Sequence, residues 1–265
     1  MSPEVLKIQT PFHLDCGRIL PEVEIAYHTF GTMNADKSNV VWICHAFSAN
    51  SDPSDWWPGM VGEDKYFDPK DYYIVCANML GSCYGSTGPL SIDPETGKPY
   101  FGDFPIITVR DMVRSLVHLR KHLGIEKIYF SAGFSMGGQQ LLEWMIMEPD
   151  VFGNCLLGAS NYRHSPWGVA FNESQRLALL ADPTYGQHDP KAGADGMRAA
   201  RSIALLSYRN YKAYNKTQWD EEGEKLDGYR AASYQQYQGE KLVKRFNAYS
   251  YWYLSKAMDN HNIER

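Results

Sequence analysis

An α/β fold, in which a mostly parallel sheet is flanked by helices and carries a helical insertion, is predicted by three observations. Short apolar runs alternate with helix-period segments over residues 1–160. Those runs are continuous rather than alternating, as expected of strands covered on both faces. Residues 161–265 hold helical patterns and no convincing strand. Strands and helices joined by short connections fold into a parallel sheet with helices packed on it.

The elements follow in order. Val23–His28 (VEIAYH) reads as a half-buried strand. Asn39–Cys44 (NVVWIC) and Tyr72–Ala77 (YYIVCA) are runs rich in β-branched and aromatic residues, suited to central strands. Val109–Leu123 places Met112, Leu116, Leu119 and Leu123 at helical spacing. Ile125–Phe134 contains another strand, KIYFSAGF; Met136–Met147 reads as a helix and Asn154–Ala159 (NCLLGA) as a strand. Beyond residue 160, helices are predicted over Asn172–Leu180, Ala192–Tyr208 and Glu240–Met258, with weaker helical character around Trp219–Gln236. No linker, repeat or low-complexity run separates this block, so it reads as an insertion on the sheet rather than a second domain.

Composition narrows the class. At 265 residues the chain suits one large domain or two small ones. It is 44% hydrophobic and 22% charged, the balance of a soluble globular protein. A chain of this length buries a core without a disulfide or metal staple. Lys plus Arg number 26 and Asp plus Glu 31, a net charge of -5 that argues against a general nucleic-acid binder. No apolar run approaches the ~20 residues of a membrane span. The N-terminus, MSPEVLKIQT, lacks the basic and apolar regions of a signal peptide. Five cysteines without paired spacing predict free thiols and a cytoplasmic protein. No metal-ligand spacing is present, so no metal is expected.

The chemistry is concentrated at residues 133–138, Gly-Phe-Ser-Met-Gly-Gly, between a predicted strand and a predicted helix. G-x-S-x-G in that setting is a nucleophile elbow. The turn is tight enough that side chains flanking it would collide, and Gly133, Gly137 and Gly138 relieve the crowding. Ser135 is then held in strained geometry with its hydroxyl above the sheet. The helix that follows aims its N-terminus at the site, so the N–H of Met136 is a candidate oxyanion donor. A second donor is expected after an earlier strand, and the N–H of Phe47 in His45-Ala46-Phe47-Ser48 is the candidate. His45 precedes Ser135, whereas the base follows the nucleophile in this architecture, so His45 reads as a residue that shapes the loop. The Gly- and Pro-rich loop Asn78–Pro89 lies at the end of a predicted strand, where open α/β sheets place ligands. It lacks the Lys of a nucleotide-binding P-loop.

Several blocks in order resemble the homoserine O-acetyltransferase family. They are His45-Ala46-Phe47, the run Asn78 to Cys83 with Gly85 to Pro89, Phe104 to Asp111, and Gly133 to Gly138. Asp182-Pro183, Gly186, Ala200-Arg201, Tyr208-Arg209, Arg245-Phe246 and Tyr253 to Asp259 resemble its lid. The resemblance implies an α/β-hydrolase fold, with a core over residues 1–160 and a helical lid region over 161–265. It implies a ping-pong reaction of methionine biosynthesis. Ser135 takes the acetyl group from acetyl-CoA, Phe47 and Met136 bind the oxyanion, and the hydroxyl of homoserine accepts the acetyl group. Arg201 is implied as the grip on the amino-acid carboxylate, with Arg198 and Arg209 as competitors. Acetyl-CoA is then a co-substrate, no cofactor is permanently bound, and a homodimer is implied, with neither nucleic acid nor membrane as partner.

The chain also departs from the family pattern. Phe47-Ser48 stands where the family often has Leu-Thr, and Asn247 where it often has Asp. The family's Asp and His lie on strand ends beyond the lid, and no strand is predicted after the lid helices here. His164 and His188 fall in the helical block, and Asp259 with His261 lies outside a strand–loop setting. The triad's acid and base are therefore expected to be missing from this chain, which reads as a fragment of a longer protein. On its own it is expected to be inactive, with an apolar sheet edge exposed. Other readings stay open: succinyl transfer, a serine acceptor, a plain esterase or thioesterase, and a non-catalytic fragment or remnant that serves in binding.

Overall fold

The structure, a computed structural model, describes residues 2–221, 223 and 225–264. The chain divides into two compact units, one of Met1–His164 with Lys256–Arg265 and the other of Ser165–Ser255. The first unit begins with strands β1 (Glu4–Ile8), β2 (Phe12–His13), β3 (Ile19–Leu20), β4 (Val23–Phe30) and β5 (Val40–Cys44). A short helix α1 (Pro53–Trp56), strand β6 (Tyr73–Ala77) and the hairpin of β7 (Ile92–Asp93) and β8 (Lys98–Pro99) follow. Then come α2 (Val109–His122), β9 (Ile128–Phe134), α3 (Met136–Met147) and β10 (Phe152–Gly158).

Six strands form one sheet in the order β1-β4-β6-β5-β9-β10. β6, β5, β9 and β10 are parallel neighbours, while β4 and β1 join antiparallel. Central β5 is buried at all of its positions, as its unbroken apolar run requires. Alternation sends Trp42 to one face, where its ring meets Trp144 of α3 edge-on at 4.9 Å. Val41 and Ile43 point to the other face and pack with Val61, Phe67, Ile74 and Cys76. That face is covered by Trp56, Trp57 and Met60, from a segment the sequence reading left unassigned.

Helix α2 starts where its sequence says it should. Thr108 Oγ1 accepts from Asp111 N, and Asp111 Oδ2 accepts from Thr108 N, a reciprocal cap that satisfies two orphan donors. Arg110 then pairs at 2.7 Å with Glu143, buried on α3, tying the two helices together. At the far edge, β10 pairs with β9 alone among the described residues. Leu156 and Leu157 of β10 and Tyr129 of β9 are substantially exposed there. The apolar edge expected from the sequence is thus present.

The second unit is helical, with α4 (Pro166–Leu180), α5 (Ala194–Tyr208), α6 (Tyr211–Gln218) and α7 (Arg230–Val243). Helix α8 (Ala248–Asp259) carries the chain back into the first unit. Three boundaries differ from expectation. α4 starts at Pro166 rather than Asn172, because Ser165 caps it and Pro166 fills its first position. The helix expected over Glu240–Met258 is two, with Asn247 Oδ1 accepting from Ser250 N at 2.8 Å to begin the second. The weak signal at Trp219–Gln236 corresponds only to the start of α7 at Arg230, and α6, which ends at Gln218, was not expected. Within this unit Gly196 and Gly239 allow close crossings, since a Cβ would meet Ala178 O at 2.7 Å or Arg198 O at 2.9 Å.

Trp144 is fully buried and touches Trp42 and Phe152. Trp144→Ala is expected to destabilise the protein by about 3–5 kcal/mol, and Trp144→Phe by less, as read from urea unfolding midpoints.

Candidate active site

Ser135 sits between the end of β9 and the start of α3 with φ 54° and ψ -124°, a backbone conformation costly for any residue with a side chain. The three glycines around it are places where no Cβ fits. One at Gly133 would lie 2.5 Å from Gly137 O, one at Gly137 2.0 Å from Cys44 O, and one at Gly138 2.6 Å from the Ser160 Cβ. The first turn of α3 is therefore pressed against the end of β5. This contact brings the loop that carries Phe47 to the N-terminus that carries the Met136 N–H. That N–H is among the first four of the helix and has no intrahelical acceptor.

The turn is fixed by its own hydrogen bonds. Ser135 N donates to Gly158 O at 3.1 Å, and Gln139 N donates to Ser135 O at 3.1 Å. Ser160 Oγ donates to the same Ser135 carbonyl at 2.9 Å. The Ser135 side chain is half-buried. No His or Asp side chain is hydrogen-bonded to its Oγ among the described residues.

His45 is a shaping residue. It is 1% exposed, between Ala46 O at 2.9 Å from Nδ1 and Met79 N at 3.3 Å from Nε2. A carbonyl only accepts and an amide only donates, so the proton resides on Nδ1. Burial pushes its pKa down to about 4, against the upward pull of the Ala46 carbonyl. The residue is thus neutral at ordinary pH and joins the loop after β5 to the loop after β6.

The Asn78–Pro89 block acts as a knot. Asn78 Nδ2 donates to Ser51 Oγ at 2.8 Å and to Tyr84 O at 2.7 Å, and Asn78 Oδ1 accepts from Ser51 N at 2.8 Å. Ser86 Oγ accepts from Ala26 N and donates to Asn78 O, while Thr87 exchanges backbone and side-chain bonds with Glu24. The loop is in effect sewn onto β4. Gly85, with φ 98°, lies against Ala26, where a Cβ would come within 2.9 Å. His28 Nδ1 lies 2.8 Å from Ser51 Oγ, and a cavity of about 370 Å³ opens here, lined by Asn50, Asp52, Asp55 and Tyr84. The sequence reading missed this polar cluster, because its members come from strand β4, the segment after β5 that includes α1, and the loop after β6.

In the helical unit the three candidate arginines differ. Arg198 is ion-paired to Glu240 at 2.6 Å and Asp195 at 3.1 Å. Arg209 donates to Tyr234 Oη at 2.5 Å. Arg201 lies over the Tyr208 ring at 5.7 Å, and its buried Nε has no hydrogen-bond partner among the described residues. His261 is buried and bonded to Asn161 O, and neither it nor Asp259 meets Ser135. The five cysteines are free thiols. Among the described residues no group of three His, Cys, Asp or Glu side chains is arranged to hold a metal, and no helix is long and apolar enough to cross a membrane.

Comparison with known proteins adds the following. A family model described as the alpha/beta hydrolase fold matches residues 39–255. The chain is 49% identical over its whole length to a homoserine O-acetyltransferase of Cyclobacterium marinum, spanning 75% of that protein. It is 46% identical to a homoserine O-acetyltransferase of Chlorobaculum parvum, again over 100% of the chain and 75% of the relative. Among solved structures, a homoserine O-acetyltransferase from Bacillus anthracis superimposes with a TM-score of 0.88 at 25% identity, covering 99% of this chain and 77% of the other. A mutant of the esterase E22 superimposes with a TM-score of 0.86, also at 25% identity, covering 98% and 78%.

Gly137→Ala is expected to cost about 3 kcal/mol or more, or to prevent folding, since the opposing atoms are backbone and have nowhere to go; urea unfolding or soluble yield reads this. His45 sets an acid limb. Its folded pKa of about 4 lies below the unfolded 6.5, so the unfolded chain takes up the proton first. Stability is full above pH 6.5 and falls by on the order of 3 kcal/mol as pH drops to about 4. His45→Gln is expected to flatten that limb in a series of unfolding curves.

Proposed function

Because the chain belongs to the homoserine O-acetyltransferase family of the α/β-hydrolase fold, we propose that it transfers the acetyl group of acetyl-CoA to the hydroxyl of L-homoserine, a step of methionine biosynthesis, through an acetyl-Ser135 intermediate. The observation that carries this reading is the 49% identity along the whole chain. The strained elbow at Ser135 supports the covalent route.

In the proposed reaction Ser135 Oγ attacks the thioester carbonyl and gives its proton to a general base. The C–S bond then breaks and CoA leaves as the thiol, taking up the proton. The homoserine hydroxyl next attacks the acetyl-enzyme and gives its proton to the base, which returns it to Ser135 Oγ as the ester departs. The N–H groups of Phe47 and Met136 receive the negative charge that develops on the carbonyl oxygen in both halves. The base is not one of the described residues hydrogen-bonded near Ser135, so activity is to be tested on protein expressed from its complete reading frame. Arg201 is proposed to bind the homoserine carboxylate, which its unsatisfied Nε supports. Residues 165–255 are proposed to serve as the lid. The exposed apolar side chains Trp167, Leu177 and Leu180 of α4 and Leu206 of α5 fit the proposed homodimer, and the family's biosynthetic role fits a cytoplasmic enzyme.

A serine acceptor differs from homoserine by one methylene, a difference of about 1–3 kcal/mol in a pocket. A succinyl donor shares the same covalent step. The likeness to the esterase gives hydrolysis a specific footing as a second reading.

Thiol release from acetyl-CoA, measured with and without homoserine, separates these readings. Release that requires homoserine is the expected result, and equal release without an acceptor would establish the hydrolase. Ser135→Ala is expected to reduce release to background and to remove the acetyl adduct seen by mass spectrometry. Arg201→Lys is expected to raise KM for homoserine roughly tenfold, through loss of a charge-assisted hydrogen bond, with KM for acetyl-CoA unchanged.

A further inference from the structure

The carbonyl of Ser135 and the N–H of Met136 belong to one peptide unit. In a trans planar peptide the two bonds point in opposite directions. Whatever holds the carbonyl therefore aims the N–H. Two groups hold it: Gln139 N from within α3, and the side chain of Ser160, which reaches over from the end of β10. The first is ordinary helix geometry, whereas the second is particular to this chain's tertiary structure.

Ser160 does not occupy that place by default. It follows Ala159, whose φ of 47° is a costly left-handed turn for a residue with a Cβ. The segment after it is clamped from two directions. Asn161 Oδ1 accepts from Gln139 Nε2 on α3 at 3.1 Å, and Asn161 O accepts from His261 Nε2 at 3.0 Å. Since a carbonyl only accepts, His261 carries a proton on Nε2. His261 is 1% exposed and Gln139 2%, so breaking either bond strands a buried polar group on their side. His164 N donates to His261 O, and Ile263 N to Tyr162 O, which extends the clamp as a short antiparallel pairing centred on Arg163 and Asn262.

We infer that Ser160 is a positioning residue which, clamped in place by Asn161, Gln139 and His261, orients the Ser135–Met136 peptide so that the Met136 N–H meets the oxyanion. This rests on the acyl-transfer reading of Ser135, and extends it by assigning a task to four residues outside the motif. A donor set slightly askew still allows substrate to bind, because the oxyanion exists only in the transition state. The loss therefore falls on kcat.

The test uses protein from the complete reading frame, with two reactions side by side: homoserine-dependent thiol release from acetyl-CoA, and hydrolysis of p-nitrophenyl acetate, which needs Ser135 but no acceptor. Ser160→Ala is expected to lower kcat about tenfold or more in both, with KM within about twofold. It is also expected to weaken a trifluoromethyl ketone analogue of the acetyl group, which forms an oxyanion when bound, by the same factor. His261→Phe, which keeps the ring but not the N–H, is expected to follow Ser160→Ala, and His261→Gln, which retains a donor, to recover most of the loss. A Ser160→Ala enzyme with unchanged kcat and unchanged analogue affinity overturns the inference. So does one whose activity falls only in step with its folded fraction. If the wild type hydrolyses the nitrophenyl ester but never acetylates homoserine, the functional reading fails, while the ester reaction still decides the role of Ser160.

Discussion

The approach of the first turn of α3 to the end of β5 is the constraint on which the site depends. A helix cannot leave a parallel strand and pass this close to its neighbour unless the residues at the contact have no side chains. With 2.0 Å between an imagined Gly137 Cβ and the Cys44 carbonyl, the packing leaves no alternative to glycine. This proximity places the helix N-terminus beside the loop after β5, the geometry an oxyanion site needs. It also forces Ser135 into its positive-φ conformation. The energy of that strain is met by the surrounding sheet, whose central strand β5 is buried at every position.

Around this contact most of the distinctive sequence blocks perform structural work. The Asn78–Pro89 run holds the loop after β6 to β4 and to Ser51. His45 connects that loop to its neighbour as a neutral, buried imidazole. The Phe104–Asp111 run ends in a reciprocal helix cap and an Arg110–Glu143 pair. Of the residues singled out in the first unit, Ser135 is the one held in a strained turn between a strand and a helix. The others fix the loops and helix ends of that unit.

That division of labour explains what was legible in the sequence. The central strands and α3 were readable because continuous apolar runs and the helical period respond to burial in a local window, and the elbow because its glycines are demanded by sterics within five residues. The start of α4 was missed although Ser165-Pro166 is a cap signal, since the apolar period begins only later. The break before α8 was hidden because apolar spacing continues across it, and only the side-chain bond of Asn247 to Ser250 N marks the new start. The His28–Ser51–Asn78 cluster and the clamp on Ser160 were out of reach. Their partners lie 22 to 100 positions apart, and no local pattern announces them.

The fold does not by itself choose between transfer and hydrolysis. An acetyltransferase and an esterase superimpose on the chain almost equally well, with TM-scores of 0.88 and 0.86. Both chemistries form the same acyl-enzyme and differ only in what attacks it. Water is abundant but unoriented. A hydroxyl held in a near-attack position reaches an effective concentration of about 10⁵–10⁸ M, far above that of any solvent. Transfer therefore prevails where an amino acid is fixed by its carboxylate, and it fails where that grip is absent, with the elbow unchanged in either case. Under the proposed function, the choice between the two reactions rests on how an acceptor is held rather than on the elbow. Among the candidate arginines, Arg198 is ion-paired to Asp195 and Glu240 and Arg209 donates one N–H to Tyr234, whereas Arg201 Nε has neither an ion pair nor a hydrogen bond among the described residues.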